Sequence, residues 1–283
     1  MRVASAGRAL EVRAPGVPAE GWARIAPYLP GVAPGTVVPV PPGRGPVVVV
    51  PGAFGEGDVR RWVNAHLHLL HLAHGALCVH AVAVRHPGGG AVLLLGGHGA
   101  GKSLTALALA AHGWRVLAGD VTVLHVPAGP GERAVVLGGT FAFVVRRSPV
   151  RRWFPDRGLP AGPERLDLAE TLASSDGGAP APVVAAVLVD VDSGPAAEGG
   201  LVDPHTAATV WWRASGHLLD RLLDGDDRVL RTLEDARLAA RRLALVRTLA
   251  SRVPLHTAFG PPQEMAARIE AINQSTASST GSS

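Results

Sequence analysis

Lysine is nearly missing from this chain: the only one, Lys102, stands against an arginine excess that leaves a net charge of +4 and a pI near 10.4. That arginine bias comes with abundant alanine, glycine and proline, which reads as a general composition bias and not as a nucleic-acid surface, so no nucleic-acid partner is expected. The single cysteine, Cys78, excludes an internal disulfide framework and any cysteine-based zinc cluster, and its apolar neighbours make it a small core residue. No apolar run reaches the length of a membrane span; the best candidate, residues 76–84, is short and interrupted by His80. The first eight residues lack the apolar core of a secretory signal. A soluble, cytoplasmic protein with no membrane partner is therefore expected, and 47% hydrophobic residues in a chain of 283 supply ample core for it.

What the chain does have is Gly96-Gly97-His98-Gly99-Ala100-Gly101-Lys102-Ser103, a match to the phosphate-loop pattern G-x-x-x-x-G-K-[ST]. Its context is right: the apolar run 91–95 suits a buried strand, and residues 104–111 read as a helix. In such a loop the backbone curls until successive N–H groups face phosphate oxygens, and the helix N-terminus adds positive potential. Gly97, His98, Gly99, Ala100, Gly101, Lys102, Ser103 and Leu104 are thus the candidate nucleotide-binding residues. Lys102 would reach the β- and γ-phosphates of ATP and Ser103 would ligate Mg2+, while His98 contributes chiefly its backbone. There is no Asn-Lys-x-Asp guanine reader and no Leu-Ser-Gly-Gly-Gln signature, which argues against a GTPase and a transporter ATPase.

Around the loop the chain divides into three. Residues 1–57, rich in glycine and proline with short valine runs at 37–40 and 47–50, read as a small β-rich portion. Residues 58–272 read as an α/β unit. A helix is expected over 58–74, then a β-hairpin of 77–84 with 91–95, and strands at 114–118, 121–126 and 134–137. A buried strand over 183–189 ends at Asp190, followed by helices near 216–223 and 233–251, a strand at 255–259 and a helix over 262–272. Residues 273–283 lack apolar pattern and are expected to be disordered. An antiparallel hairpin feeding the loop is informative, because most phosphate-loop folds place the loop after a strand of a parallel sheet.

Four segments, His80-Ala81-Val82-Ala83-Val84, Val92-Leu93-Leu94-Leu95-Gly96, residues 99–107 around Gly101-Lys102-Ser103, and Gly113-Trp114-Arg115-Val116-Leu117-Ala118-Gly119-Asp120, resemble the catalytic core of the HPr kinase/phosphorylase family. The resemblance covers about residues 76–124, and less specifically the closing Val253-Pro254-Leu255 and final helix. It implies an α/β fold of the HPr kinase and phosphoenolpyruvate carboxykinase type, and Mg-ATP-dependent transfer of a phosphoryl group to a hydroxyl, usually a serine of a protein or peptide. Some relatives act on precursors of ribosomally made peptides, such as lasso-peptide precursors. The resemblance also implies catalytic roles for His80, Lys102 and Asp120. The family carries an acidic pair where this chain has Gly119-Asp120, and a glutamate where it has Leu104, so one carboxylate is missing. Asp120, alone or with Asp190 at its strand end, would then hold the metal beside Ser103.

The acceptor is expected to be a peptide or small protein, with self-association left open. A non-catalytic ATP-binding accessory protein and a small-molecule kinase are the alternatives, the first because of Gly119. The basic run 146–153 offers arginine forks for an acidic partner or is a solvated loop. His66, His68, His71 and His74 lack a carboxylate or cysteine to complete a metal set, and Trp211-Trp212 read as core.

Overall fold

The computed structural model describes residues 1–39, 47–52, 54–129, 131–172, 180–192, 199–225 and 227–280, of which 276–280 by backbone alone. Val40, which ends the first valine run, and residues 281–283 of the tail lie outside them. In chain order the elements begin with strands β1 (Arg2–Ser5) and β2 (Arg8–Arg13), helix α1 (Ala19–Ile25), strands β3 (Val37–Val38) and β4 (Val47–Val49) and helix α2 (Glu56–Ala73). There follow β5 (Ala76–His80), β6 (Val82–Arg85), β7 (Ala91–Leu95), α3 (Lys102–Ala111), β8 (Arg115–Ala118), β9 (Val121–His125), β10 (Val135–Gly139) and β11 (Val144–Arg146). The rest is α4 (Arg147–Trp153), β12 (Arg165–Asp167), α5 (Ala169–Leu172), β13 (Ala181–Asp190), α6 (Pro204–Gly216), α7 (Ala236–Arg252), β14 (Leu255–Phe259) and α8 (Pro262–Thr280). It is a mixed α/β fold with several sheets.

The main sheet runs β5-β9-β10-β13-β7-β6-β8, with β14 alongside the second half of β13. β7 is flanked by antiparallel β6 and parallel β13, and its side chains alternate between two apolar layers. Val92 and Leu94 join Leu104, Leu107 and Leu109 of α3 and Met265 and Ile269 of α8; Leu93 and Leu95 join Trp211 of α6 and Val246 and Leu249 of α7. A strand covered on both faces must be apolar at every position, which is why 91–95 reads as an unbroken run instead of an alternating one.

The expected single strand 77–84 is in fact two, broken at Ala81. β5 pairs with β9 and β6 with β7 and β8, so only β6 forms the hairpin with β7. β8 and β9 are broken in the same way at Gly119-Asp120, and the two bent strands lie antiparallel, His80 opposite Val121 and Ala83 opposite Ala118. Because β5 and β6 are consecutive, the sheet's path returns on itself. Threonine hydroxyls hold both bends: Thr122 Oγ1 donates to Ala81 O at 2.8 Å, and Thr140 Oγ1 accepts from the N–H groups of Asp120 (2.9 Å) and Val121 (3.1 Å). A ladder interrupted at a bend would otherwise leave these buried backbone groups without partners.

The small sheet, ordered β3-β1-β2-β4, shares its core with α2: Val3, Leu10 and Val12 pack in one cluster with Trp62, Val63 and Leu67. Two backbone hydrogen bonds dock this portion on the main sheet beside the second bend, Gly31 N–H to Gly139 O (3.0 Å) and Ala142 N–H to Pro27 O (2.9 Å). Ser5 Oγ–H donates to Pro30 O (2.6 Å) and, with the proton on that nitrogen, His71 Nε2 donates to Ser5 Oγ (2.7 Å).

The helix expected over 216–223 is not there. Helix α6 precedes it, opened by Asp203, whose carboxylate accepts from His205 and Thr206 N–H at 3.0 Å, with Pro204 at the first helical position. This is a regular start signal, and Gly216 closes the helix where the sequence reading has it open one. The final helix continues to Thr280, beyond the expected end at 272, and Asn273 is still buried.

Helix α7 fixes the end of α6 through the fully buried Arg242. Its guanidinium makes a two-pronged pair with Glu234 (2.7 and 2.9 Å), donates to Trp212 O and Ser215 Oγ (3.3 Å each), and lies 3.5 Å from the Trp212 ring centre. Removing the carboxylate would strand a buried cation. Glu234→Ala is expected to lower unfolding free energy by about 3–5 kcal/mol, read from urea melts against the wild-type chain.

Candidate functional site

The loop between β7 and α3 is built against the end of β13. Gly101 caps α3 at φ 90°, and a Cβ there would stand 2.7 Å from Val191 Cβ; at Gly96, φ 148°, a Cβ would meet Val189 O at 2.8 Å. The two framing glycines of the motif are therefore demanded by β13, not only by a ligand. Lys102 folds back over the loop and donates to Gly96 O (2.9 Å) and Gly97 O (3.0 Å). Burial pulls its ammonium down to about 8 while Asp120 pulls the other way.

Across from this loop the two strand bends meet. His80 closes β5 and Asp120 stands in the break between β8 and β9, which puts His80 Nε2 3.3 Å from Asp120 Oδ1. His217, just past α6, stacks on His80 with ring centres 3.9 Å apart and planes 13° apart. Arg221 donates to His217 Nε2 at 2.8 Å, which makes that nitrogen an acceptor and the ring neutral. Burial and the neighbouring His80 and Arg221 hold the His217 imidazole far below its ordinary value. For Asp120, burial pushes the carboxyl up, but the His80 hydrogen bond and the positive charge of its neighbours outweigh that and keep it well below the usual carboxylate range. The carboxylate stays ionised, with 57% of the side chain open to the cavity.

That cavity, about 570 Å³, is lined by His98 and Ser103 from the loop region and by His80, Asp120 and His217 from the bends and the α6 end. The expected site residues His80, Asp120, His98 and Ser103 thus share one space, whereas Lys102 is buried and does not line it. His98 contributes its side chain as well as its backbone, since Nε2 accepts from Arg146 at 3.1 Å. Asp190 does not line the cavity. It ends β13, and its Oδ1 accepts from Asp192 N–H at 3.2 Å. Ser103 and Asp120 offer hard oxygen donors in one cavity, a set that suits Mg2+. His80, Asp120 and His217 also come within 4.8 Å of one another, but two nearly parallel stacked imidazoles cannot both direct an in-plane lone pair at one ion, so as placed they do not fit a histidine-held metal.

The α2 histidines are separate: His66 Nδ1 bonds Trp62 O and His74 Nδ1 bonds Leu70 O (2.8 Å each), His71 meets Ser5, and His68 is a fully buried ring that burial pushes down to about 3. Of the basic run 146–153 only Arg146 reaches the cavity. Arg147 is buried against the carbonyls of Pro160 and Pro163, and Arg152 lies over Trp153. Trp211 is core.

Sequence reasoning missed His217, Thr140, Tyr28 and the cavity arginines Arg60, Arg61, Arg165 and Arg221. None sits in a motif; they come from five separate segments joined only by the fold. The missing carboxylate has a structural explanation. A Cβ at Gly119 would lie 2.0 Å from Ala142 O and 3.0 Å from Phe143 Cα, so the backbone after β10 occupies the place where a side chain would start. Restoring an acid there is predicted to fail: Gly119→Asp should lower the melting temperature sharply or give insoluble protein, whereas Thr140→Val, which strips an acceptor from two N–H groups, should cost about 1–3 kcal/mol in a urea melt.

No family model and no curated protein matches this chain. Among solved structures, the HPr(Ser) kinase/phosphatase from Coxiella burnetii is similar over 72% of this chain and 98% of that one, with 12% sequence identity and a TM-score of 0.32.

Proposed function

We propose that this chain is an ATP-dependent phosphotransferase that moves the γ-phosphoryl group to a serine or similar hydroxyl of a peptide or small protein. One observation carries the reading: a loop of phosphate-binding sequence and an ionised aspartate, separated in the chain by α3 and β8, face the same cavity. Backbone N–H groups at the start of α3 and the Lys102 ammonium would hold the triphosphate. Asp120 would accept the proton of the acceptor hydroxyl as its oxygen bonds the γ-phosphorus and the bond to the bridging oxygen breaks, releasing ADP. Bound Mg2+, held by Ser103 and Asp120, would neutralise charge on the phosphate oxygens. His80 would keep the Asp120 carboxylate oriented and ionised.

Gly119 favours a second reading. With no room for another carboxylate, the chain could bind ATP as an accessory protein without turning it over. The two readings part on one experiment: Asp120→Asn should keep Mg·AMP-PNP affinity while lowering γ-phosphate transfer to a serine-peptide library roughly 100-fold, and Lys102→Ala should abolish both. Nucleotide binding with no transfer to any peptide or small acceptor by the wild-type chain supports the accessory reading.

Lys102 also sets a pH dependence. Its ammonium is charged below about 8 in the free protein, and a bound triphosphate raises that value. Affinity for AMP-PNP should therefore be flat from pH 6.5 to 7.5 and fall as pH rises above 8, by up to about tenfold per unit, in calorimetric titrations. A flat profile to pH 9.5 would show that the ammonium does not grip the phosphates.

A further inference from the structure

The cavity carries more positive charge than a triphosphate loop requires, and that charge lies in two groups. Among the described residues, five arginines line it against two aspartates, Asp120 and Asp167. Asp167 is occupied as a backbone acceptor, taking the N–H groups of Phe143 (3.0 Å) and Ala169 (2.9 Å). Arg61 is neutralised by Asp58 and Asp224, each at 2.7 Å. The other four, Arg60, Arg146, Arg165 and Arg221, make no salt bridge to a carboxylate among the described residues.

Arg146 and Arg165 are direct cross-strand partners in the β11–β12 ribbon. Like charges so placed repel and weaken the ribbon unless an anion lies between them. Arg146 also touches His98 of the phosphate loop, which puts this pair on the nucleotide side. Arg60 and Arg221 form the other group, on the wall that carries His217. Arg221 holds the His217 ring, and Arg60 lies 5.0 Å from the centre of the Tyr28 ring, under the N-terminal portion. Burial lowers the Arg60 guanidinium and the positive neighbours Arg61 and Arg221 add to the effect, while Tyr28 and Asp120 oppose it. Arg60 is half-buried and Arg146, Arg165 and Arg221 are exposed, and guanidinium groups that line one cavity without a salt-bridge partner suit a planar or tetrahedral oxyanion.

Building on the phosphotransferase reading, we propose that the acceptor carries an anionic group of its own, a phosphate or a carboxylate near its hydroxyl, which Arg60 and Arg221 hold while Arg146 and Arg165 close over the triphosphate. The anion orients the acceptor so that its hydroxyl faces Asp120, between the two arginine groups. The N-terminal portion, through Tyr28, roofs this half of the cavity. Its function is thereby acceptor selection.

The test is calorimetry on the full chain saturated with Mg·AMP-PNP. Inorganic phosphate, glycerol 3-phosphate and a glutamate-flanked serine peptide are titrated, with glycerol and a glutamine-flanked peptide as neutral twins. A charged probe should bind roughly tenfold or more tightly than its twin, and whether glycerol 3-phosphate or the peptide wins identifies a small-molecule or peptide source. Arg60→Gln and Arg221→Gln should each erase that preference yet keep AMP-PNP affinity within about twofold, while Arg146→Gln weakens AMP-PNP. Equal binding of charged and neutral probes, no binding of any charged probe, or a loss of AMP-PNP affinity in Arg60→Gln matching the loss of probe would overturn the proposal. If AMP-PNP does not bind at all but phosphate binds the free chain and Arg60→Gln abolishes it, the anion site stands and the kinase reading falls alone.

Discussion

Two paired strands bend at the same level, and the site depends on that double bend. At Ala81 and at Gly119-Asp120 the antiparallel ladder breaks, and each break is sealed by a threonine hydroxyl from a neighbouring strand or the segment just beyond one. A straight pair of strands would place His80 and Asp120 in a continuous ladder within the sheet. Bending turns both side chains into the cavity, 3.3 Å apart, opposite the loop that follows β7. The cost is a glycine at 119, where the close backbone of Ala142 and Phe143 leaves no space for a side chain. Geometry that brings Asp120 forward thus removes the position from which a second acid could act.

The charges in the cavity support one another across long sequence distances. Asp120 is kept ionised by His80 and Lys102, and Asp120 in turn opposes the loss of charge that burial imposes on Lys102. His217 is kept neutral by Arg221 and by its stack on His80. Its place depends on α6 ending where it does, which the buried Arg242–Glu234 pair enforces from α7. A helix pair on one face of the sheet is in this way coupled to the orientation of an imidazole beside the reacting carboxylate.

Much of this was legible in the residues. The loop's glycines, its lysine and serine, the apolar strand before it and the helix after it are adjacent in the chain, so local pattern is sufficient to read them. Strand β13 was equally plain, because its buried stretch from Val183 to Val189 is an unbroken apolar run. The break at Ala81 was not readable, since Cys78, Val79, Ala81 and Val82 are all apolar and nothing in composition marks a change of ladder partner. Helix α6 carries a start signal in Asp203-Pro204, but a glycine such as Gly216 can flank either end of a helix, and here it is the last residue.

By itself the sequence determined the strand-loop-helix unit, the solitary ammonium within it and the α/β alternation around it, since each rests on contacts between residues a few positions apart. Tertiary structure alone decided that His80, Asp120 and His217 come together, that Gly119 cannot be anything larger, and that Arg60, Arg146, Arg165 and Arg221 face one cavity. The physical reason is that these depend on ladder bends and helix ends joining segments many tens of residues apart, where the spacing of residues along the chain carries no record of distance in space.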